Sequence, residues 1–148
     1  MRLPEPDIGK AAVAHVILNR KKSHRWGGTV KDVVMKPWQF EPWMTRRKEI
    51  KNLSPDDPRY RTAGRIADAV LAGAMPDPTS GATHFLNPTV VRQRRGGSLP
   101  LWARGEKVLI GRHTFYSPDA AHATRHWAGL SLDGIWSAIF LSGPRRGC

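Results

Sequence analysis

Within the run Asp77-Pro78-Thr79-Ser80-Gly81-Ala82-Thr83-His84-Phe85-Leu86-Asn87-Pro88, three side chains carry chemistry: the Thr83 hydroxyl, the His84 imidazole and the Asn87 carboxamide. Each can donate and accept hydrogen bonds, so together they suit a polar ligand. Asp-Pro-Thr-Ser-Gly must be a turn or loop, because proline fixes φ and glycine supplies backbone freedom. The residues that follow alternate: Ala82, His84 and Leu86 point one way, Thr83, Phe85 and Asn87 the other. Pro88 has no ladder donor and ends the strand. The pattern admits two readings, the wall of a cleft that binds something polar or a plain edge strand with a solvated face.

The elements that would hold such a strand are legible nearby. Ile8 to about Lys21 reads as a helix with Asp7 as its N-cap, and its apolar positions nearly encircle it, which predicts a central, buried helix. Thr29-Val30-Lys31-Asp32 resembles a capping box, opening a short helix through about Met35. Lys36 to Pro42 reads as a loop around Gln39-Phe40. Asp57-Pro58 supplies an N-cap and an N1 proline. From there Ala63, Ile66, Ala67, Val70 and Leu71 form a helical stripe that ends at Gly73. Ala82–Asn87 and a run from Val108 to Tyr116 are the strand candidates. The Arg- and Gly-rich connection between them is long for a hairpin loop and can carry binding residues. After Pro118 the pattern weakens: Ala120 to His126 allows a helical turn, and Leu132 to Leu141 allows helix or strand. Trp127 and Trp136 read as packing residues. The fold class expected is α+β, mainly helical, with a small antiparallel sheet in a single domain over 1–148.

Composition narrows the partners. A formal charge of +12 calls for an acidic ligand or surface, and nucleic acid is the first candidate for such a balance. Helix-turn-helix, zinc-finger and RNA-binding aromatic signatures are missing, which argues against nucleic acid. The basic clusters Arg20-Lys21-Lys22, Arg46-Arg47-Lys48, Arg92 to Arg95 and Arg145-Arg146 read mostly as solvated faces. The single cysteine, Cys148, has no partner in the chain. His84 and His113, or His122 and His126 at i, i+4, raise the idea of a metal. Without cysteine ligands or a glutamate inside the pair, no metal and no cofactor are expected. No apolar stretch is long enough to span a membrane, and Met-Arg-Leu-Pro-Glu-Pro-Asp has no signal-peptide core. A monomer is expected.

Four blocks in order carry a resemblance: Ala11-Ala12-Val13-Ala14-His15-Val16-Ile17-Leu18-Asn19-Arg20; Val33-Val34 with Gln39-Phe40; the Gly81-to-Asn87 segment; and Ile110-Gly111-Arg112-His113-Thr114-Phe115-Tyr116. From about Glu5 to about Pro118 the chain resembles the cell-wall hydrolase family of the spore-cortex-lytic enzymes and many phage lysins. The resemblance implies a lysozyme-like fold and cleavage of peptidoglycan glycan strands. Gln39, Thr83, His84, Asn87, His113 and Tyr116 carry amide, hydroxyl and imidazole groups suited to the hydroxyl and N-acetyl groups of a sugar, with a hydrogen-bonded structural role as the alternative for His84 and His113. Phe40, Phe85 and Trp102 become candidate stacking faces, with packing in the core as their alternative. The resemblance also implies action at the bacterial wall, reached by phage-type release or through a leader missing from this copy.

The same resemblance implies a protonated glutamate as general acid. Burial raises a carboxyl pKa so that it can protonate a glycosidic oxygen. A second carboxylate is needed for hydrolysis but not for lytic transglycosylation, in which the muramyl C6 hydroxyl attacks internally. Glu5-Pro6 matches the second glutamate and the proline of the family's Glu-Ala-Arg-Gly-Glu-Pro-like segment. That match puts the acid's position at Met1, so either the true start lies upstream, the copy is truncated, or another residue has taken over. Glu5 and Glu41 are the candidates, the latter beside Trp38, Phe40 and Trp43. Glu49 and Glu106 read as surface groups. A wall-binding module lacking the acid is the alternative function, and a basic nucleic-acid-binding protein a more distant one.

Overall fold

The computed structural model describes residues 6–37, 39–40 and 44–117. In chain order these form α1 (Asp7–Ser23), α2 (Val30–Met35), α3 (Arg47–Lys51), α4 (Pro58–Leu71), β1 (His84–Leu86), α5 (Pro88–Arg94), β2 (Lys107–Ile110) and β3 (His113–Tyr116). The architecture is mainly helical α+β with a three-stranded antiparallel sheet, as expected from sequence. Glu5, Trp38, Glu41, Pro42, Trp43 and everything from Pro118 onward, including His122, His126, Trp127, Trp136 and Cys148, lie outside the described residues.

Helix α1 is the centre. Ala11, Ala12, Val13 and Val16 are fully enclosed, and the helix packs on α2, α4 and the sheet. Asp7 is not its N-cap: Pro6 holds that position without a side-chain bond. Asp7 instead sits in the first turn, where a carboxylate opposes the positive helix end. It accepts hydrogen bonds from Lys10 and from Arg65 of α4, the latter holding its carboxyl below the usual range. In α2 the capping box forms as read, with Thr29 and Asp32 exchanging side-chain-to-backbone bonds.

In α4, Asp57 caps the Arg59 amide and Pro58 occupies the first turn. Ala63, Ile66 and Val70 are buried against α1, and burying Ile66 or Val70 contributes on the order of 2 kcal/mol relative to exposure. The apolar stripe is narrower than its periodicity suggests. Ala67 is exposed and Leu71 is 69% exposed, because α1 covers only the 63/66/70 edge.

The sheet runs β1-β3-β2. The Val108–Tyr116 run is two strands rather than one. Gly111, at φ 59, and Arg112 turn the chain so that Ile110 pairs with His113. The strand expected over Ala82–Asn87 shortens to His84–Leu86. Thr83 N still donates to Tyr116 O at 3.2 Å, but Asn87 leaves the ladder to cap α5, its side-chain oxygen accepting from the Thr89 and Val90 amides. That helix was read as loop from sequence. Both sheet faces are covered: Phe85 and Phe115 join α1, Trp26, Val33 and Phe40, while Leu86 and Tyr116 join Val91 and Trp102. All three β1 residues are therefore buried, and β1 is an edge strand without a solvated face.

Candidate functional site

Arg20 organises the region around β1. Sequence placed it in a solvated basic cluster, yet it is 0% exposed. Its spacing from Val13 and Val16 puts it on the buried stripe of α1, a signal that the neighbouring lysines obscured. Its Nε donates to Thr83 O at 2.7 Å and its Nη1 to Gln39 Oε1 at 3.4 Å. The guanidinium lies 4.9 Å from the Trp26 ring centroid and 5.6 Å from that of Phe40. These cation–π contacts offset part of the desolvation cost. Burial pushes its pKa down to about 9, which leaves it cationic at neutral pH. Among the described residues no carboxylate lies within ion-pair range of Arg20, and its buried Nη2 has no hydrogen-bond partner.

Asn19, the preceding residue, fixes the loop that leads into β1. Its Nδ2 donates to Asp77 Oδ2 at 3.0 Å and to Ala82 O at 2.9 Å. Asp77 also accepts from the Thr79 amide and hydroxyl and from the Gly81 amide. Burial alone would raise the Asp77 pKa, but these hydrogen bonds outweigh it and hold the carboxyl below its usual value. Asp77 is thus a structural anion that builds a turn, and the turn delivers Thr83 and His84.

The His84 ring sits 5.8 Å from Trp26 and 5.0 Å from Trp102, and Trp102 lies edge-on to Tyr116 at 5.5 Å. Burial, helped by the charges of Arg20 and Arg25, pushes the His84 pKa down to about 3. Its imidazole is neutral at physiological pH and too weak a base for proton abstraction there. It can hold a hydrogen bond, and Thr83 Oγ1 lies 2.8 Å from its Nδ1. Thr83 is only half-buried and so carries this polarity toward the surface. Burial raises the Tyr116 pKa, keeping the phenol protonated.

The structure brings together Gln39, Thr83, His84, Trp102 and Tyr116, joined through Arg20, Trp26 and the β1–β3 pairing. It separates others. Phe40 and Phe85 are packed inside the α1 core, so neither presents a face on which a sugar could stack. His113 lies on that same core side, its ring against Phe85 and Phe115. The oxygen of Asn87 is spent on the α5 cap. Trp102 is almost wholly buried, its indole N–H without a hydrogen-bond partner among the described residues. Arg20, Trp26 and Arg25 went unmarked in the sequence reading. Glu49 is exposed and ion-paired to Arg46 and Arg59, and Glu106 is exposed in the loop before β2.

A cavity of about 310 Å³ lies elsewhere, between α1, α2 and α4, walled by side chains such as Ile17, Leu18, Val34, Ala67 and Leu71. Its walls are almost wholly apolar and offer little that could orient a polar substrate. The polar, cation-backed region at β1 is the better candidate site.

A mainly helical fold with a small sheet, its strand entry anchored on half-buried Asn19 and buried Arg20, can now be set beside known proteins. The Cell Wall Hydrolase family matches residues 4–116, and this chain belongs to it. It is 33% identical over 111 residues to a spore cortex-lytic enzyme of Halalkalibacterium halodurans and 30% identical over 113 residues to one of Bacillus cereus. Each alignment covers 75% of this chain but only 29% and 38% of the respective relative, so the chain spans about a third of their length. No solved structure matches.

Proposed function

We propose that this chain binds and cleaves peptidoglycan glycan strands at the muramyl to glucosaminyl bond, as a single domain with one glutamate as general acid and then base. The observation that carries the reading is convergence. The four blocks of the family resemblance are far apart in sequence, yet Asn19 and Arg20 bond directly to the Gln39 and Ala82–Thr83 segments, and Tyr116 pairs with His84. In the transglycosylase form, the glutamic acid gives its proton to the departing glycosidic oxygen. The C6 hydroxyl oxygen bonds to the anomeric carbon as the C–O bond breaks, and the carboxylate accepts the hydroxyl proton, leaving a 1,6-anhydro end. Thr83 and Gln39 would orient acetamido and hydroxyl groups, and Glu5 and Glu41 are the candidate acids.

The second reading, a binding module without the acid, is favoured by one observation: the glutamates among the described residues, Glu49 and Glu106, are both exposed, so neither is desolvated as a general acid requires. Incubating the protein with purified peptidoglycan and analysing the products by mass spectrometry separates the readings. Anhydro-muropeptides support the transglycosylase and new reducing ends a hydrolase. Wall pull-down without product supports the binding module, and failure to bind the wall rejects both.

A further inference from the structure

Two buried nitrogens near β1 have no hydrogen-bond partner among the described residues: Nη2 of Arg20 and Nε1 of Trp102. Both belong to one continuous cluster, since Arg20 stacks on Trp26, Trp26 meets His84, and His84 meets Trp102 and through it Tyr116. Two exposed arginines stand at its ends. Arg25 follows α1 and lies 5.9 Å from the Trp26 ring, on which Arg20 also packs. Arg92 follows Val91, the α5 residue packed against Trp102 and Tyr116, and its charge acts on the Tyr116 hydroxyl.

The charge around this cluster is unbalanced among the described residues. Among these, Arg20, Arg25 and Arg92 have no carboxylate in ion-pair range, whereas Arg46, Arg59, Arg61 and Arg65 each have at least one. A buried cation without a counter-ion is costly and makes its surroundings favourable to an anion. Arginine at the surface above it supplies the planar donor fork that matches a carboxylate.

We infer that the rim formed by Arg25 and Arg92 around the Trp26–His84–Trp102–Tyr116 cluster is a carboxylate-selective subsite for the glycan strand. It rests on the glycan-binding reading above and deepens it by naming the group recognised: a carboxylate carried by a muramyl residue. That carboxylate comes either from a lactyl ether without a stem peptide or from the stem peptide itself. The cluster is closed to ring stacking, so recognition is by charge at the rim.

The test measures binding of the full chain to a muramyl-containing tetrasaccharide without peptides, to its lactyl methyl ester, and to the peptide-bearing tetrasaccharide, at low and high salt. Wild type should bind the free acid about five- to tenfold more tightly than the ester, the scale of one charge-assisted contact, and salt should shrink the gap. Arg25→Gln with Arg92→Gln should close the gap and leave ester binding unchanged. Thermal melts check that these exposed substitutions preserve the fold. If the peptide-bearing sugar also beats the ester, and the double variant loses that gain, stem carboxylates are recognised too; if not, the lactyl group alone is the ligand. Equal binding of the acid, the ester and the peptide-bearing sugar in wild type, or a gap that survives the double variant, overturns the subsite while leaving glycan binding standing. Binding of none of the sugars overturns the glycan reading and the subsite with it.

Discussion

The helical side of this molecule and its sheet side handle charge in opposite ways. On the helical side the start of α1, α3 and α4 carry arginines matched to acids: Arg65 with Asp7, Arg59 with Asp57 and Glu49, Arg46 with Glu49 and Arg61 with Asp56. Around the sheet a fully buried arginine has no such match among the described residues, and the sequence from Pro78 to Ser117 holds Arg92, Arg94, Arg95, Arg104, Lys107 and Arg112 with one acid, Glu106. The two sides differ in the same sense, with an apolar-walled cavity between α1 and α4 and, near β1, buried N–H donors without a partner among the described residues. Matched surface charges contribute little to stability and attract nothing. An unmatched buried cation is tolerated where something else is gained, and ligand attraction is the gain we assign to it.

Breaking the sheet side at its anchor should have the largest effect. Arg20→Ala leaves a cavity and an unsatisfied Thr83 carbonyl, and should cost about 3–4 kcal/mol in chemical denaturation. Arg20→Met fills the space without the charge and should recover part of that loss while still weakening glycan binding. Were Arg20→Ala neutral, the anchor role would be wrong.

Acid should act on the sheet side next. His84 titrates near 6.5 when unfolded and is held down to about 3 when folded. The unfolded state therefore takes up a proton first, and stability falls as pH drops through 6.5 toward 3, by at most ~1.4 kcal/mol per pH unit. His84→Gln should flatten that slope in melts across the range, and an unchanged slope would show that other groups carry it.

Asn87 separates a cap from a ligand. Asn87→Ala should cost about 1 kcal/mol through the α5 terminus, whereas Asn87→Asp should keep the cap and the stability. Glycan affinity lost in the Asp variant alone would restore the binding role that the sequence suggested. The smallest effect belongs to the helical side: Leu71→Lys, at a mostly exposed position, should shift stability by less than about 0.5 kcal/mol and leave wall binding unchanged.

What was legible in sequence was whatever local chemistry decides. The Thr29 capping box, the Asp57-Pro58 helix start and the 63/66/70 stripe follow from neighbours within a turn or two, and all are present. Asn87-Pro88 has the same cap-and-proline form as Asp57-Pro58, yet α5 was missed because the proline was credited only with ending the strand. Arg20 was missed because composition groups it with Lys21 and Lys22, although helical phase sets it apart. The faces of Phe40, Phe85 and His113 depend on which elements cover the sheet, and no single segment encodes that. Glu5 and Glu41 lie outside the described residues, so the acid is approached through the binding side.

The central claim is that glycan binds at the cation-backed sheet side and not in the apolar groove. Titrating isotope-labelled protein with the peptide-free muramyl tetrasaccharide and following backbone and side-chain NMR shifts tests it most directly. The account predicts perturbations centred on Arg25, Thr83, His84, Arg92 and Trp102, with Leu18, Ala67 and Leu71 unmoved. Shifts concentrated at Leu18, Ala67 and Leu71, with the His84 region silent, would contradict it.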